Sequence, residues 1–290
     1  MKDTIAVLGS NGVYARHLLP RLVASGRPVV AVVRRPEAAD VARACGAEVR
    51  IADIFDTASM TAAFANCAIA INLATTLPGP SGRGDFAEND RLRIMGVPNF
   101  VEACRNAGVA RVIQQSIGLV SGSGTADWSD ESTMYAASTE TTASKAIAAA
   151  LAMEQTIRSS ELDWIILRGG LFYGPGTGFD DDWYARAAAG KLRSPGDGTD
   201  YVSLIHIADM ATATIAAIER WPSRRVLIVC DEEPAQWRDI FGFIASSAGQ
   251  ATPETGGRIA FPSFRLRNAQ AVAALGWRPF YRTYREGLAR

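Results

Sequence analysis

Gly9-Ser10-Asn11-Gly12-Val13-Tyr14-Ala15 follows the apolar run Ile5-Ala6-Val7-Leu8 and opens into the helical Arg16-His17-Leu18-Leu19. Small residues at this spacing let the backbone turn tightly beneath an anion, whose charge then rests on free N–H groups at a helix N-terminus. The pyrophosphate of a dinucleotide is the natural occupant. Gly9, Ser10, Asn11, Gly12 and Val13 are therefore candidate contacts, with Ala15 at the place where helix and strand must pack closely. The second apolar run ends Val33-Arg34-Arg35-Pro36. A guanidinium there can grip a 2′-phosphate with paired hydrogen bonds, where a carboxylate would instead hold free ribose hydroxyls. Arg34 and Arg35 thus favour NADP(H), with NAD(H) as the other candidate cofactor.

Groups able to move a proton are fewer. Ser116 ends the run 111–115 and offers a hydroxyl to orient a carbonyl; its plainer reading is a strand-end serine bonded to backbone. Tyr135 lies on an expected loop and offers a phenol, against the plainer reading of a packing tyrosine. His17 and His206 are isolated, and Cys45, Cys67, Cys104 and Cys230 form no C-x-x-C pair, so neither a metal site nor a disulfide framework is expected. Asp180-Asp181-Asp182 reads as a solvated loop, and Trp183 with Tyr184 as an aromatic cluster on the substrate side.

The elements that must position these residues alternate. Strand-like runs at 5–8, 29–33, 48–52, 69–73, 111–115, 164–167 and 226–229 are separated by helical patterns at 16–25, 58–65, 97–107 and 143–159. Strand alternating with helix implies an α/β fold with a doubly wound, mostly parallel sheet of the Rossmann type. Several runs are apolar throughout, as strands covered on both faces should be. Residues 1–170 read as an NAD(P)-binding Rossmann domain. Residues 171–290, richer in Gly, Pro and Asp loops, read as a smaller substrate-side lobe with segments returning to the sheet.

With 290 residues, 48% of them hydrophobic, the chain has ample material for this core. Thirty basic residues balance thirty acidic ones, which recommends a small-molecule substrate over nucleic acid or an anionic membrane and leaves homo-oligomerisation open. No apolar stretch approaches the roughly 20 residues of a membrane span, and the run at 5–8 is too short for a signal segment, so a cytoplasmic protein is expected.

The ordered motifs resemble the extended short-chain dehydrogenase/reductase family, also called the NAD-dependent epimerase/dehydratase family, along nearly the whole chain. The glycine loop matches, with Ala15 in place of the usual third glycine. Ala52-Asp53-Ile54 resembles the family's adenine-contacting segment, and Asn72-Leu73-Ala74-Thr75 its fourth-strand end beside the cofactor. Leu167-Arg168-Gly169-Gly170-Leu171-Phe172-Tyr173-Gly174-Pro175-Gly176 resembles L-R-P-x-x-x-Y-G-P-G, with Gly169 in place of proline. His206-Ile207-Ala208-Asp209 and Leu275-Gly276-Trp277-Arg278-Pro279 resemble the later H-V-x-D and L-G-W-x-P blocks. The resemblance implies cofactor contacts at Asp53, Ile54, Leu73, Ala74, Thr75, Gly170 and Leu171, and a structural place for His206.

It also implies a catalytic Tyr and Lys four residues apart on a helix, with a Glu four residues beyond. Glu154, at the family spacing before Arg168, puts Ala150 at the lysine position and Ala146 at the tyrosine position. Neither alanine transfers a proton. A rival frame reads Thr141-Thr142-Ala143-Ser144-Lys145 as the motif, turned roughly 140° around the helix from the Glu154 frame. The expectation is an atypical NADP(H)-binding enzyme that reduces, oxidises or epimerises a small organic molecule without the usual pair. The alternatives are a non-catalytic sensor and a non-redox enzyme performing a cyclisation or elimination in the same pocket.

Overall fold

The computed structural model describes residues 3–80, 82, 84–136 and 140–289. Its first half alternates β1 (Ile5–Leu8), α1 (Val13–Ala24), β2 (Val29–Val33), β3 (Glu48–Ile51), α2 (Thr57–Ala63) and β4 (Ile69–Asn72). The chain continues through α3 (Val97–Asn106), β5 (Arg111–Ile117), α4 (Thr142–Arg158) and β6 (Asp163–Gly169). Beyond these lie α5 (Phe179–Ala188), α6 (Ile207–Arg220), β7 (Arg225–Val229) and α7 (Trp237–Ser247). A short helix, Phe86–Arg91, and one π turn, Leu92–Gly96, lead into α3.

The seven strands form one sheet in the order β7-β6-β5-β4-β1-β2-β3, every neighbouring pair parallel. This is the doubly wound α/β arrangement expected from the alternating pattern, and its order reverses between β1 and β4. Successive side chains of β1 leave by opposite faces, as pleating demands. Ile5 and Val7 join the core beneath α1 and α6, whereas Ala6 and Leu8 join the core beneath α2, α3 and α4. Such two-sided burial accounts for the apolar composition of β1, β2 and β4.

β7 returns to the sheet from the C-terminal third and pairs with β6 along Arg225–Val229. Its open edge is covered by Glu131, whose side chain accepts a hydrogen bond from the Ile228 N–H. A third core gathers Tyr173, Trp183, Tyr184, Trp237, Phe241 and Phe264 among α5, α7 and the C-terminal segments. Trp183 and Tyr184 are thus packing residues of this aromatic cluster. Asp180, Asp181 and Asp182 occupy the first turn of α5 and not a solvated loop. Carboxylates at that end complement the helix dipole. Among the described residues no helix is long and apolar enough to cross a membrane.

Candidate functional site

At the carboxyl ends of β1 and β4 the glycine loop makes its tight turn. Gly9 has φ +82, and a Cβ on it would come within 2.8 Å of the Leu73–Ala74 backbone, so only glycine fits. Gly12, by contrast, has an extended backbone, φ −71 and ψ 163, and caps α1. A Cβ on Gly12 would meet only the Gly9 carbonyl oxygen within 4 Å, at 3.3 Å. The first turn of α1 has no side-chain cap and no acidic residue, so its N–H groups are left for an anion. Ser10 turns its hydroxyl inward to Val7 O at 2.6 Å and leaves backbone toward the loop, while Asn11 is exposed. Ala15 is fully buried in the core that α1 shares with Ile5 and Val7 of β1. These features fit a dinucleotide pyrophosphate.

Arg34 and Arg35 are exposed at the end of β2. Arg35 faces Glu37 at 3.5 Å, whereas no hydrogen bond or ion pair holds Arg34 among the described residues. At the next strand end, Asp53 receives the Phe55 N–H on its carboxylate, and Ile54 is buried with its side chain against Gly96. The Asp53 N–H donates to Ser59 Oγ and both carbonyls already accept hydrogen bonds, which leaves the Ile54 N–H and one carboxylate oxygen of Asp53 for an adenine or ribose. Leu73 is buried in the core, and Ala74 donates its N–H to Asn72 Oδ1 at 3.0 Å. Thr75 donates to Asn89 Oδ1 at 2.8 Å, and the same oxygen receives the Thr76 N–H. Asn89 therefore shapes this strand end. The sequence reading missed it, because its partners lie 13 and 14 residues away.

Gly170 and Leu171 leave β6 and run beside Ser203 and Leu204. A Cβ on Gly170 would approach Ser203 O to 2.6 Å, and Leu171 donates its N–H to the same carbonyl at 2.9 Å. At Gly169, where the family resemblance has proline, an added Cβ would meet the Phe172 ring at 2.6 Å. The Phe172 ring stands edge-on to Tyr14 at 5.6 Å and ties this segment to α1. His206 caps α6, its Nδ1 accepting the Ala208 N–H. Burial, with repulsion from His17 added, pushes the His206 pKa down to about 4, so the ring is neutral near pH 7.

Ser116 is 1% exposed and donates to Glu154 Oε1 at 2.7 Å. Arg168 grips the same carboxylate through Nε and a terminal nitrogen, at 2.9 and 2.7 Å, and also donates to Ser121. The Ser116 hydroxyl thus stands inside a buried network. On α4, Thr141 is the N-cap, paired with Ser144 in a reciprocal capping box. Lys145 is 63% exposed at its side chain and faces Glu140. Ala146 and Ala150 lie on the buried face of the helix, with Arg93 donating to the Ala146 carbonyl at 2.9 Å. Ala150 clusters with Val120 and Ile147, against which Ile117, Leu119, Tyr135 and Leu151 pack. Tyr135 is half-buried and anchored by its N–H to Val120 O at 2.9 Å.

A parallel sheet whose order reverses beside an uncapped helix N-terminus defines a dinucleotide-binding Rossmann protein. Residues 9–219 match the NAD(P)H-binding family, and the chain belongs to that family, in its extended short-chain dehydrogenase/reductase branch. The chain is 31% identical to the 3-diazoavenalumate denitrifying reductase of a Streptomyces species, covering 99% of each. It is 26% identical to the 4-hydroxy-2-methyl-3-oxo-4-farnesyl-3,4-dihydroquinoline-1-oxide ketoreductase of Stigmatella aurantiaca, over 84% of this chain and 72% of that one. Among solved structures it is similar to MoeE5 in complex with UDP-glucose and NAD, with a TM-score of 0.80 and 26% identity over 99% of this chain and 96% of that one.

Proposed function

We propose that this chain is an NADPH-dependent reductase that directs hydride to a small aromatic electrophile and contributes no proton of its own. An arene diazonium that leaves as N2 is the favoured substrate class. The observation that carries this reading is the burial of Ala146 and Ala150, the latter packed with Val120 and Ile147, where the family resemblance calls for a phenol and an ammonium. Capping by Thr141 and exposure of Lys145 speak against the rival frame. The full-length similarity to a reductase that, by its name, removes nitrogen from a diazo compound supports the substrate class.

The bound nicotinamide supplies hydride. Adding hydride to the cationic carbon–nitrogen framework of Ar–N2+ gives Ar–H and N2, and charge balances with no proton transferred. The reaction therefore asks nothing of a general acid. The protein's part is to bind, orient and keep water out. In this reading Gly9 to Val13 hold the pyrophosphate, Arg34 with Arg35 holds the 2′-phosphate, and Asp53 and Ile54 flank the adenosine. Leu73, Ala74, Thr75, Gly170 and Leu171 line the remainder of the cofactor. Ser116 acts only by positioning Glu154, and Ile117, Leu119 and Tyr135 form an apolar wall toward the substrate.

The test is to incubate the protein with benzenediazonium and NADPH carrying deuterium at nicotinamide C4. Deuterium on the benzene carbon together with released N2 is the expected result; protein-independent rates would remove the proposal. A second reading, carbonyl reduction with Tyr135 as proton donor, draws on the ketoreductase relative and on the half-buried phenol. In that case Tyr135→Phe would lower kcat by the roughly 10²–10⁴-fold of a lost general acid.

A further inference from the structure

Past the carboxyl end of β7, the outermost strand on its side of the sheet, a cavity of about 190 Å³ opens among three segments far apart in sequence. Trp128–Ser129 pairs in parallel with Arg265–Leu266, and the Arg267 N–H extends that pairing to Ser129 O at 2.9 Å. Trp128, Leu266 and Ala269 give the cavity apolar walls; Asp231, Glu232, Arg267 and Asn268 give it polar ones. β7 stands three strand spacings from β4, roughly 14 Å, so the cavity is separate from the crevice between β1 and β4.

Most polar groups of this wall are already engaged. Glu232 is held by Arg278 and Arg282 at 2.8 and 2.6 Å. Asp231 donates its N–H to Leu204 O, receives Asn268 Nδ2 on its carbonyl and the Glu233 N–H on Oδ1. Its Oδ2 has no partner among the described residues, although the residue is only 1% exposed. Burial above all, then repulsion from Glu233, Asp209 and Glu232, pushes the Asp231 carboxyl well above the usual carboxylate range. A buried acceptor without a donor is costly, and the donor that this one lacks is a cation. Asn268 spends Nδ2 on the Cys230 and Asp231 carbonyls, which leaves Oδ1 as a second open acceptor.

The opposite charge stands at the same cavity. The Arg267 guanidinium lies 4.8 Å from the ring centre of the half-exposed Trp128, and no hydrogen bond or ion pair holds it among the described residues. Two open acceptors and a free guanidinium on one small cavity match an ammonium and a carboxylate carried by a single molecule. Among the described residues no group of three His, Cys, Asp or Glu side chains gathers to hold a metal ion instead.

We propose that this cavity is a second small-molecule site that binds an α-amino acid with a short apolar side chain. Asp231 Oδ2 and Asn268 Oδ1 take the ammonium, Arg267 takes the carboxylate, and the side chain lies against Trp128 and Leu266. A cavity of about 150 Å³ holds benzene, so this one has room for a ligand of the size of valine or leucine. The site depends neither on dinucleotide binding nor on the identity of the hydride acceptor.

The test titrates the parent with L-alanine, L-valine and L-leucine and follows protein fluorescence, with Trp128→Phe as the control expected to lose the signal. Two charge-assisted contacts support a dissociation constant on the order of 1 mM for the best of the three. The amine and the carboxylic acid that each carry its side chain alone, 3-methylbutylamine and 4-methylpentanoate for leucine, are expected to bind at least tenfold more weakly. Asp231→Asn keeps an oxygen for the Glu233 N–H and is expected to weaken the amino acid at least tenfold. Arg267→Gln is expected to weaken it at least fivefold while leaving the amine unchanged; because Arg267 is exposed, this variant answers even where Asp231→Asn fails to fold. No saturable binding of any of the three amino acids would show that water alone fills the cavity, and would overturn the proposal. Parental affinity in folded Asp231→Asn or in Arg267→Gln, an amine that binds as tightly as the amino acid, or a signal that survives in Trp128→Phe would overturn it as well.

Discussion

Glu154 on α4 and Arg168 on β6, 14 residues apart in sequence, meet through both carboxylate oxygens in a fork that solvent hardly reaches. The pair locks the rotation of α4 against the sheet and so decides which face of that helix turns toward the carboxyl end of β5. Removing Arg168 leaves the buried Glu154 carboxylate with only the partly exposed Arg158, at 3.2 Å, to offset its charge. Arg168→Met should cost about 3–5 kcal/mol of stability, measured by urea unfolding, with Ser116→Ala costing about 1 kcal/mol through one lost hydrogen bond. A loss under 1 kcal/mol for Arg168→Met would mean that α4 is held by packing alone.

Cofactor choice depends on Arg34, exposed at the end of β2 and held by no hydrogen bond or ion pair among the described residues. Arg34→Ala should weaken NADPH by about 1.5–3 kcal/mol, one charge-assisted contact, while NADH affinity stays level. Calorimetry with both cofactors measures the split, and equal affinities in the parent would count against a 2′-phosphate site.

Gly9 and Gly12 should respond differently to substitution. At Gly12 the backbone is extended and a side chain enters the room at the N-terminus of α1, so Gly12→Val should abolish dinucleotide binding with little loss of thermal stability. Gly9→Ala meets backbone at 2.8 Å in a left-handed conformation, and should destabilise the fold as well as the site. Thermal melts beside cofactor titrations tell the two apart; identical behaviour would contradict the geometry.

On α4, Lys145→Ala should leave cofactor affinity and any turnover within a few-fold, because the ammonium points to solvent and Glu140. Thr141→Ala should cost about 1 kcal/mol through loss of the cap, without a specific effect on turnover. Ala150 is fully covered, so Ala150→Lys buries an ammonium with no acid in its cluster and should lower stability rather than create activity. A large, selective fall in turnover from Lys145→Ala would restore the rival frame.

The folded His206 resists protonation until about pH 4, while the unfolded ring takes a proton near 6.5. Between these values the unfolded state binds more protons, so the stability that His206 contributes is present above about pH 6.5 and is lost as pH falls through 4. Protonated Nδ1 also cannot accept the Ala208 N–H. His206→Asn keeps a capping oxygen without the titration, and its melting temperature should fall less than the parent's between pH 6.5 and 4. Parallel slopes would place the effect elsewhere.

Much of this molecule is written locally. The strand-turn-helix at Ile5 to Ala24, the arginines ending β2 and the alternation that produces a parallel sheet depend on neighbours a few residues away, so pattern alone reveals them. Predicted strand limits fall within about two residues of those observed for the same reason, with β5 and β6 running slightly longer once their ends find partners in the sheet.

Other features exist only because distant segments pack. The family resemblance used the spacing of Glu154 and Arg168 only to set the frame of the helix; their ion pair, and the capture of the Ser116 hydroxyl by Glu154, depend on bringing β5, α4 and β6 together. The seat of Tyr135 beside Ala150 and the hold of Asn89 on Thr75 likewise leave no periodic trace in the chain. A residue's type and spacing limit which bonds it can make; which one it makes is chosen by burial, since a polar group taken out of water must bind whatever partner the packed core places within reach.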